Sequence, residues 1–223
     1  LKVTPINNTE RLVRLQTELS RSLVLEDRFS KPISRIAGVD MAFIGDKAIA
    51  VCIVLDYENL DLVEEAVAQV DLNFPYKPGF LWFREGPAIL QAVKRVHSKP
   101  DVFMVNAHGI AHPRRFGCAS HLGVVLGKPT IGVAGTRLCG QYERLPARPV
   151  DSEPLWMDNK IVGFIIKPKE GKPIYVSPGH MLNVKSAARI TIHCLRDHRL
   201  PEPLHLAHTL ANSVKRGLRQ QCA

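Results

Sequence analysis

The sequence predicts an α/β fold, a mixed sheet flanked by helices, on three observations. Three β-type segments, Ile33–Phe43, Lys47–Tyr57 and Leu62–Leu72, follow one another across very short connections. Short apolar segments at Asp101–Ala107 and Thr130–Gly135 then alternate with helical ones at Phe83–Ser98 and Cys118–Leu126. Tight connections make strands antiparallel neighbours, whereas strand–helix alternation makes them parallel. Finally, a chain of 223 residues, 45% of them hydrophobic, can bury one sizeable core, so a single domain over 1–223 is expected.

The elements follow in order. A helix over Thr9–Leu25 is predicted by Leu12, Leu15, Leu19 and Leu23, which recur at three- and four-residue steps, with Asn7 and Glu10 at capping-box spacing. Lys47–Tyr57 is rich in Val and Ile; Leu62–Leu72 is more polar, as on an outer strand. A Pro-rich loop, Phe74–Gly79, precedes the Phe83–Ser98 helix. Asp101–Ala107 reads as a buried strand. Residues 136–160 read as irregular, and Ile161–Lys167 with Pro173–Ser177 as a strand pair. Helices at Val184–Arg196 and Pro203–Gly217 close the chain, with Pro203 in a first turn where its missing N–H costs nothing. This order resembles the ribonuclease-H-like architecture.

No apolar run is long enough to span a bilayer, and Leu1–Asn8 lacks the apolar stretch of a signal peptide. The five cysteines, Cys52, Cys118, Cys139, Cys194 and Cys222, show no zinc-ligand spacing. Reduced thiols and a cytoplasmic setting are therefore expected. The net charge of +9 favours a polyanionic partner, with nucleic acid the commonest, although solubility alone also accounts for such a charge.

Candidate chemistry clusters in three places. Asp40 lies near the end of an apolar strand, where a lone Asp usually caps a turn. Glu85 follows a loop in which Tyr76 and other aromatics are interleaved with Lys77 and Arg84. Aromatics stack on or wedge between bases and cations hold phosphates; a packed Pro-aromatic turn is the plainer reading. Asn106–Arg115 follows a buried strand, the usual place for an α/β ligand crevice. There Arg114 and Arg115 suit phosphate, while His108 and His112 suit ligation, acid–base work or simple loop hydrogen bonding.

Together these segments resemble the endonuclease V family. The likeness runs in order through Ala37-Gly38-Val39-Asp40, Pro75-Tyr76-Lys77-Pro78-Gly79, Phe83-Arg84-Glu85, Gly109-Ile110-Ala111-His112-Pro113-Arg114-Arg115 and Ala119-Ser120-His121-Leu122-Gly123. It continues through Pro129-Thr130-Ile131-Gly132-Val133-Ala134, Ser177-Pro178-Gly179-His180, Leu200-Pro201-Glu202-Pro203 and Leu206-Ala207-His208. The resemblance implies a ribonuclease-H-like DNA repair nuclease that recognises deoxyinosine and uses Mg2+, with Mn2+ as a substitute. It implies hydrolysis of the second phosphodiester bond 3′ to the lesion, or, in some members, action on inosine in RNA. Asp40 and Glu85 become metal ligands, and His208 a catalytic partner. Tyr76 becomes a wedge within Pro75, Lys77, Pro78 and Gly79, with Arg114 and Arg115 on the strand. Gly79, Leu81, Ala107 and Gly109 become the pocket for the flipped base. A monomer is expected.

Two positions depart from the pattern. Asn106 stands where the family has a metal-binding Asp, and Gly135 where it has Lys. Two unit charges about 4 Å apart at an effective dielectric of about 20 interact by about 4 kcal/mol before desolvation, so a neutral Asn weakens metal binding. Asp101 sits at odd offset from Asn106 along the strand and points to the other face, whereas His108 shares its parity. Either Asn106 is an introduced substitution or both changes are natural, in a weakened member or a catalytically silent inosine reader.

Overall fold

The computed structural model describes residues 8–221. Helix α1 (Asn8–Ser20) leads into β1 (Arg35–Ile44), β2 (Lys47–Asp56) and β3 (Leu62–Asp71), then α2 (Leu81–Lys94), β4 (Val102–Val105), α3 (Cys118–Leu126) and β5 (Thr130–Ala134). Strands β6 (Ser152–Met157), β7 (Lys160–Ile166) and β8 (Ile174–His180) follow, and helices α4 (Val184–His193) and α5 (Glu202–Gln221) complete the described chain.

The strands form one sheet in the order β3-β2-β1-β4-β5-β8-β7-β6. The first three pair as an antiparallel meander. Strand β4 joins β1 in parallel and β5 joins β4 in parallel. Beyond β5 every pairing is antiparallel again. Strand β2 is buried at all but its end residues, as a strand covered on both faces must be. One face packs Ile36, Val51, Ile53, Met104 and Ile131 against Ala187, Ile190, Leu204, Ala207 and Ala211 of α4 and α5. The other packs Ala37, Val39, Cys52 and Phe103 against Ala88, Ile89 and Ala92 of α2 and Ala119 and Leu122 of α3. Among the described residues no helix is long and apolar enough to cross a membrane.

The structure corrects the sequence reading at several points. Helix α1 stops at Ser20, and its buried residue is Gln16 rather than the leucine stripe, since Leu15 is exposed. Asn7 of the expected capping box lies outside the described residues. Residues 136–160 are not wholly irregular, because β6 lies within them. It was hidden by Pro154, which a strand accepts at the sheet edge where β6 sits. Strand β4 ends at Val105, so strand parity says nothing about His108.

One close approach sets the position of α5. A Cβ built on Gly38 of β1 would lie 2.1 Å from the Pro203 carbonyl oxygen. The missing side chain lets the first turn of α5 rest on the strand, and His208 follows on the same helix. Gly38→Ala is expected to lift α5 and cost about 1–3 kcal/mol, in the range of overpacking substitutions, read as a lowered denaturation midpoint at unchanged m-value.

Candidate active site

Asp40 organises the site. The β1–β4 register pairs Val39 with Val105, so Asp40 lies level with the end of β4. Asn106, the next residue of the chain, donates its backbone N–H to the Val39 carbonyl at 3.0 Å. Its side-chain amide donates to Asp40 Oδ1 at 3.0 Å. From α5, His208 donates Nδ1–H to Asp40 Oδ2 at 2.8 Å. One turn further on, the Asn212 amide donates to His208 Nε2 and to the His208 carbonyl, both at 3.0 Å, which fixes the ring. Asp40 is only 8% exposed, and burial raises its pKa even though the Met41 backbone, His208 and Asn106 favour the ionised form.

Glu85, in the second turn of α2, is also buried and lies near enough to Asp40 to feel its charge. Burial first, and the Asp40 charge second, push its carboxyl up to about 8. Two carboxylates that repel each other in a dry place form an oxygen donor set suited to a hard cation. Among the described residues no three His, Cys, Asp or Glu side chains converge as a metal cage. Asp40 and Glu85, with the side-chain oxygen of Asn106, are the donors that could hold one. Asp101 is remote from it, because its carboxylate accepts the Ser34 and Arg35 amides at 2.8 and 3.0 Å.

Beside this cluster opens a pocket of about 250 Å³. Its lining includes Tyr76, Lys77, Pro78, Gly79 and Leu81 together with Asn106, Ala107 and Gly135. The loop carrying Tyr76 is anchored at both ends. Arg84 donates to the Phe74 carbonyl at 2.8 Å. The Gly79 carbonyl accepts from Gln16 of α1, from His112 and from Arg114. Gly79 has φ +78°, and a Cβ there would lie 2.8 Å from the Arg114 guanidinium, so only glycine suits it. Between these anchors Pro75, Tyr76, Lys77 and Pro78 stand in solvent, with Tyr76 68% exposed, so the packed-turn reading does not hold for this ring.

Other expected site residues are placed differently. Gly109 is buried outside the pocket, its amide bonded to Ser177 Oγ and its α-carbon packed on the Pro178 carbonyl. Arg114 turns inward, with Nε donating to Gln16 Oε1 at 2.7 Å and the guanidinium 4.5 Å from the Phe80 ring centre. Arg115 is held by the Met157 carbonyl and Asp158. Neither arginine stands free for a phosphate. His112 braces Gly79, and His108 lines the pocket. Burial pushes both imidazoles down to about 4, so both are neutral near pH 7. At Gly135 the carbonyl accepts from Arg199, which also holds the Lys172 and Pro173 carbonyls. Gln16 and Asn212 escaped the sequence reading. Gln16 lies in phase with Leu12 and Leu19, and Asn212 lies four residues after His208, so helical spacing was the available signal.

Comparison with known proteins fits this geometry. The family model described as Endonuclease V matches residues 17–209. A protein named Endonuclease V from Trichormus variabilis is 41% identical over 207 residues, covering 92% of this chain and 94% of the relative. The crystal structure of Endonuclease V from Streptomyces avermitilis superposes with a TM-score of 0.85 at 36% identity, covering 96% of this chain and 95% of that one. Endonuclease V from Ciona intestinalis, solved with a 24mer DNA containing an inosine followed by a ribo-adenosine, shares the fold at 24% identity and a TM-score of 0.83, over 95% of this chain and 99% of that one. The shared fold is ribonuclease-H-like.

Glu85 makes stability depend on pH. With its pKa raised from 4.5 to about 8, the folded state keeps a proton that the unfolded state has released across that window. Its stabilising contribution is complete below the unfolded value and is lost as pH rises through the folded one, with a slope of up to about 1.4 kcal/mol per pH unit. In chelator, denaturation midpoints of wild type and Glu85→Gln should therefore separate steadily from about pH 5 to about pH 8, the variant being the more stable at the alkaline end. Parallel pH profiles would show that the carboxyl is already ionised when folded.

Proposed function

The chain belongs to the endonuclease V family of nucleases, and from that premise we propose that it is a DNA repair nuclease for inosine-containing strands that hydrolyses the second phosphodiester bond 3′ to the lesion. The observation that supports this most is one shared residue: Asn106 lines the pocket and also bonds Asp40 at the centre of the acidic cluster. A base in the pocket and a phosphate at the cluster are thus neighbours on one strand.

Asp40, Glu85 and the Asn106 side-chain oxygen would hold Mg2+, or Mn2+ in its place. A cation there supplies a more acidic water and offsets phosphate charge. The chain's own residues do the rest. His208 keeps Asp40 oriented while its half-exposed ring faces the strand. Tyr76, on a loop stiffened by Pro75 and Pro78 and clamped at Gly79, fills the gap when the base leaves the stack. Extrusion is easiest at a weak pair, which favours a deaminated base. The walls at Gly79, Leu81 and Ala107 take up that base.

A second reading, a slow or silent inosine reader, has its own support. The amide of Asn106 satisfies Asp40 without any cation, whereas an aspartate there would leave two carboxylates in contact. Incubation of end-labelled inosine DNA and inosine RNA with Mg2+ or Mn2+ separates the readings: a nick one nucleotide beyond the lesion marks the nuclease, and retention without cutting marks the reader.

Two substitutions test the roles. Asn106→Asp should raise turnover at limiting Mg2+ by roughly 10- to 100-fold, each factor of ten being about 1.4 kcal/mol of cation binding, with lesion affinity little changed. Equal rates would remove position 106 from the donor set. Tyr76→Ala should reduce discrimination between inosine and adenine strands by roughly tenfold, at an unshifted metal titration, as loss of one base-contacting aromatic worth about 1–3 kcal/mol predicts.

A further inference from the structure

A second concave surface adjoins the site at His208. Its lining includes His208, Asn212, Lys215, Arg216 and Arg219, all from α5. Positions 208, 212, 215 and 219 recur at steps of four and three, so they share one helix face, with Arg216 at its margin. The row extends about 16 Å from His208, at about 1.5 Å per residue. After Glu202 the helix carries no Asp or Glu. Among the described residues, Lys215, Arg216 and Arg219 form no ion pair. Three cations left without acidic partners along one line form a track for a polyanion.

Continuity gives the track a direction. Asn106 lines the pocket and bonds Asp40, Asp40 bonds His208, and His208 begins the cationic row. A strand with its altered base in the pocket and its reacting phosphate at Asp40 therefore runs on along α5. We propose that this face of α5 binds the backbone of the strand beyond the scissile bond, its 3′ flank, across about four or five stacked nucleotides at about 3.4 Å each. The polarity rests on the proposed cut 3′ to the lesion. Such a track holds product as well as substrate, and contributes affinity without reading sequence.

The test measures equilibrium binding in chelator, where nothing is cut, to labelled DNA strands with one inosine. One strand has long flanks, one is trimmed just past the scissile bond on the 3′ side, and one is trimmed equally on the 5′ side. Wild type is expected to lose roughly tenfold in affinity on 3′ trimming and little on 5′ trimming. Lys215→Ala/Arg216→Ala/Arg219→Ala should bind the long strand as weakly as wild type binds the 3′-trimmed one, and be indifferent to that trimming. Its plot of log affinity against log salt should be shallower by about 2, since each phosphate contact contributes about 0.7–0.9. Alanine favours helix, so α5 stays formed, and the charge-preserving Lys215→Arg/Arg216→Lys/Arg219→Lys should behave as wild type. An unchanged salt slope in the alanine variant, or a dependence on the 5′ flank instead, overturns the proposal. A matched adenine strand keeps the two ideas apart: equal wild-type affinity for inosine and adenine would defeat the inosine reading, while the salt slope still decides whether α5 holds a strand.

Discussion

The site depends on a buried carboxylate whose two oxygens are each spoken for. Asp40 gives one oxygen to the amide of Asn106 and the other to the ring of His208. A charge in so dry a place is tolerable only with partners of this kind. The partners come from different parts of the chain: Asn106 follows the parallel strand β4 and His208 rides on α5. The same bonds that make Asp40 tolerable therefore fix a strand end and a helix relative to β1. Among the described residues Glu85, entering on α2, accepts no such pair of bonds, and burial together with the Asp40 charge pushes its carboxyl up to about 8.

The backbone makes this meeting possible. Strand β4 is four residues long and stops beside Asp40, so the next residue turns its side chain onto the carboxylate. Helix α5 lies close enough to touch it because Gly38 leaves room for the Pro203 carbonyl. Burial on both faces of β1 and β4 leaves this end of the strands as the place where polar groups collect, which agrees with the general position of ligand crevices in α/β sheets.

Much of this was legible in the residues. The meander, the parallel pair and the closing helices follow from connection length and from runs of Val, Ile and Leu. Asp40, Glu85, Asn106 and His208 were named by motif, and the structure brings Asp40, Asn106 and His208 together by hydrogen bonds while Glu85 feels the charge of Asp40. Other features were illegible for physical reasons. Pro154 disguised an edge strand, because only a central strand excludes proline. Arginine identity cannot reveal which way a guanidinium turns, and Arg114 and Arg115 are both spent on carbonyls and side chains of the protein itself. Polar residues set into helix faces, Gln16 and Asn212, gain meaning only once their partners are known.

The Gly79 carbonyl accepts hydrogen bonds from a helix near the start of the chain and from two residues that follow β4. That oxygen acts as a keystone, joining the opening helix to the rim of the pocket although α1 contributes nothing to the acidic cluster. Trimming the protein back to the first sheet strand would leave Asp40, Glu85, Asn106 and His208 in the chain, but the Gly79 carbonyl and the Arg114 guanidinium would both lose Gln16 as a partner. One helix is thereby tied to the rim of the pocket and to none of the acidic residues, so the two halves of the site rest on different parts of the chain.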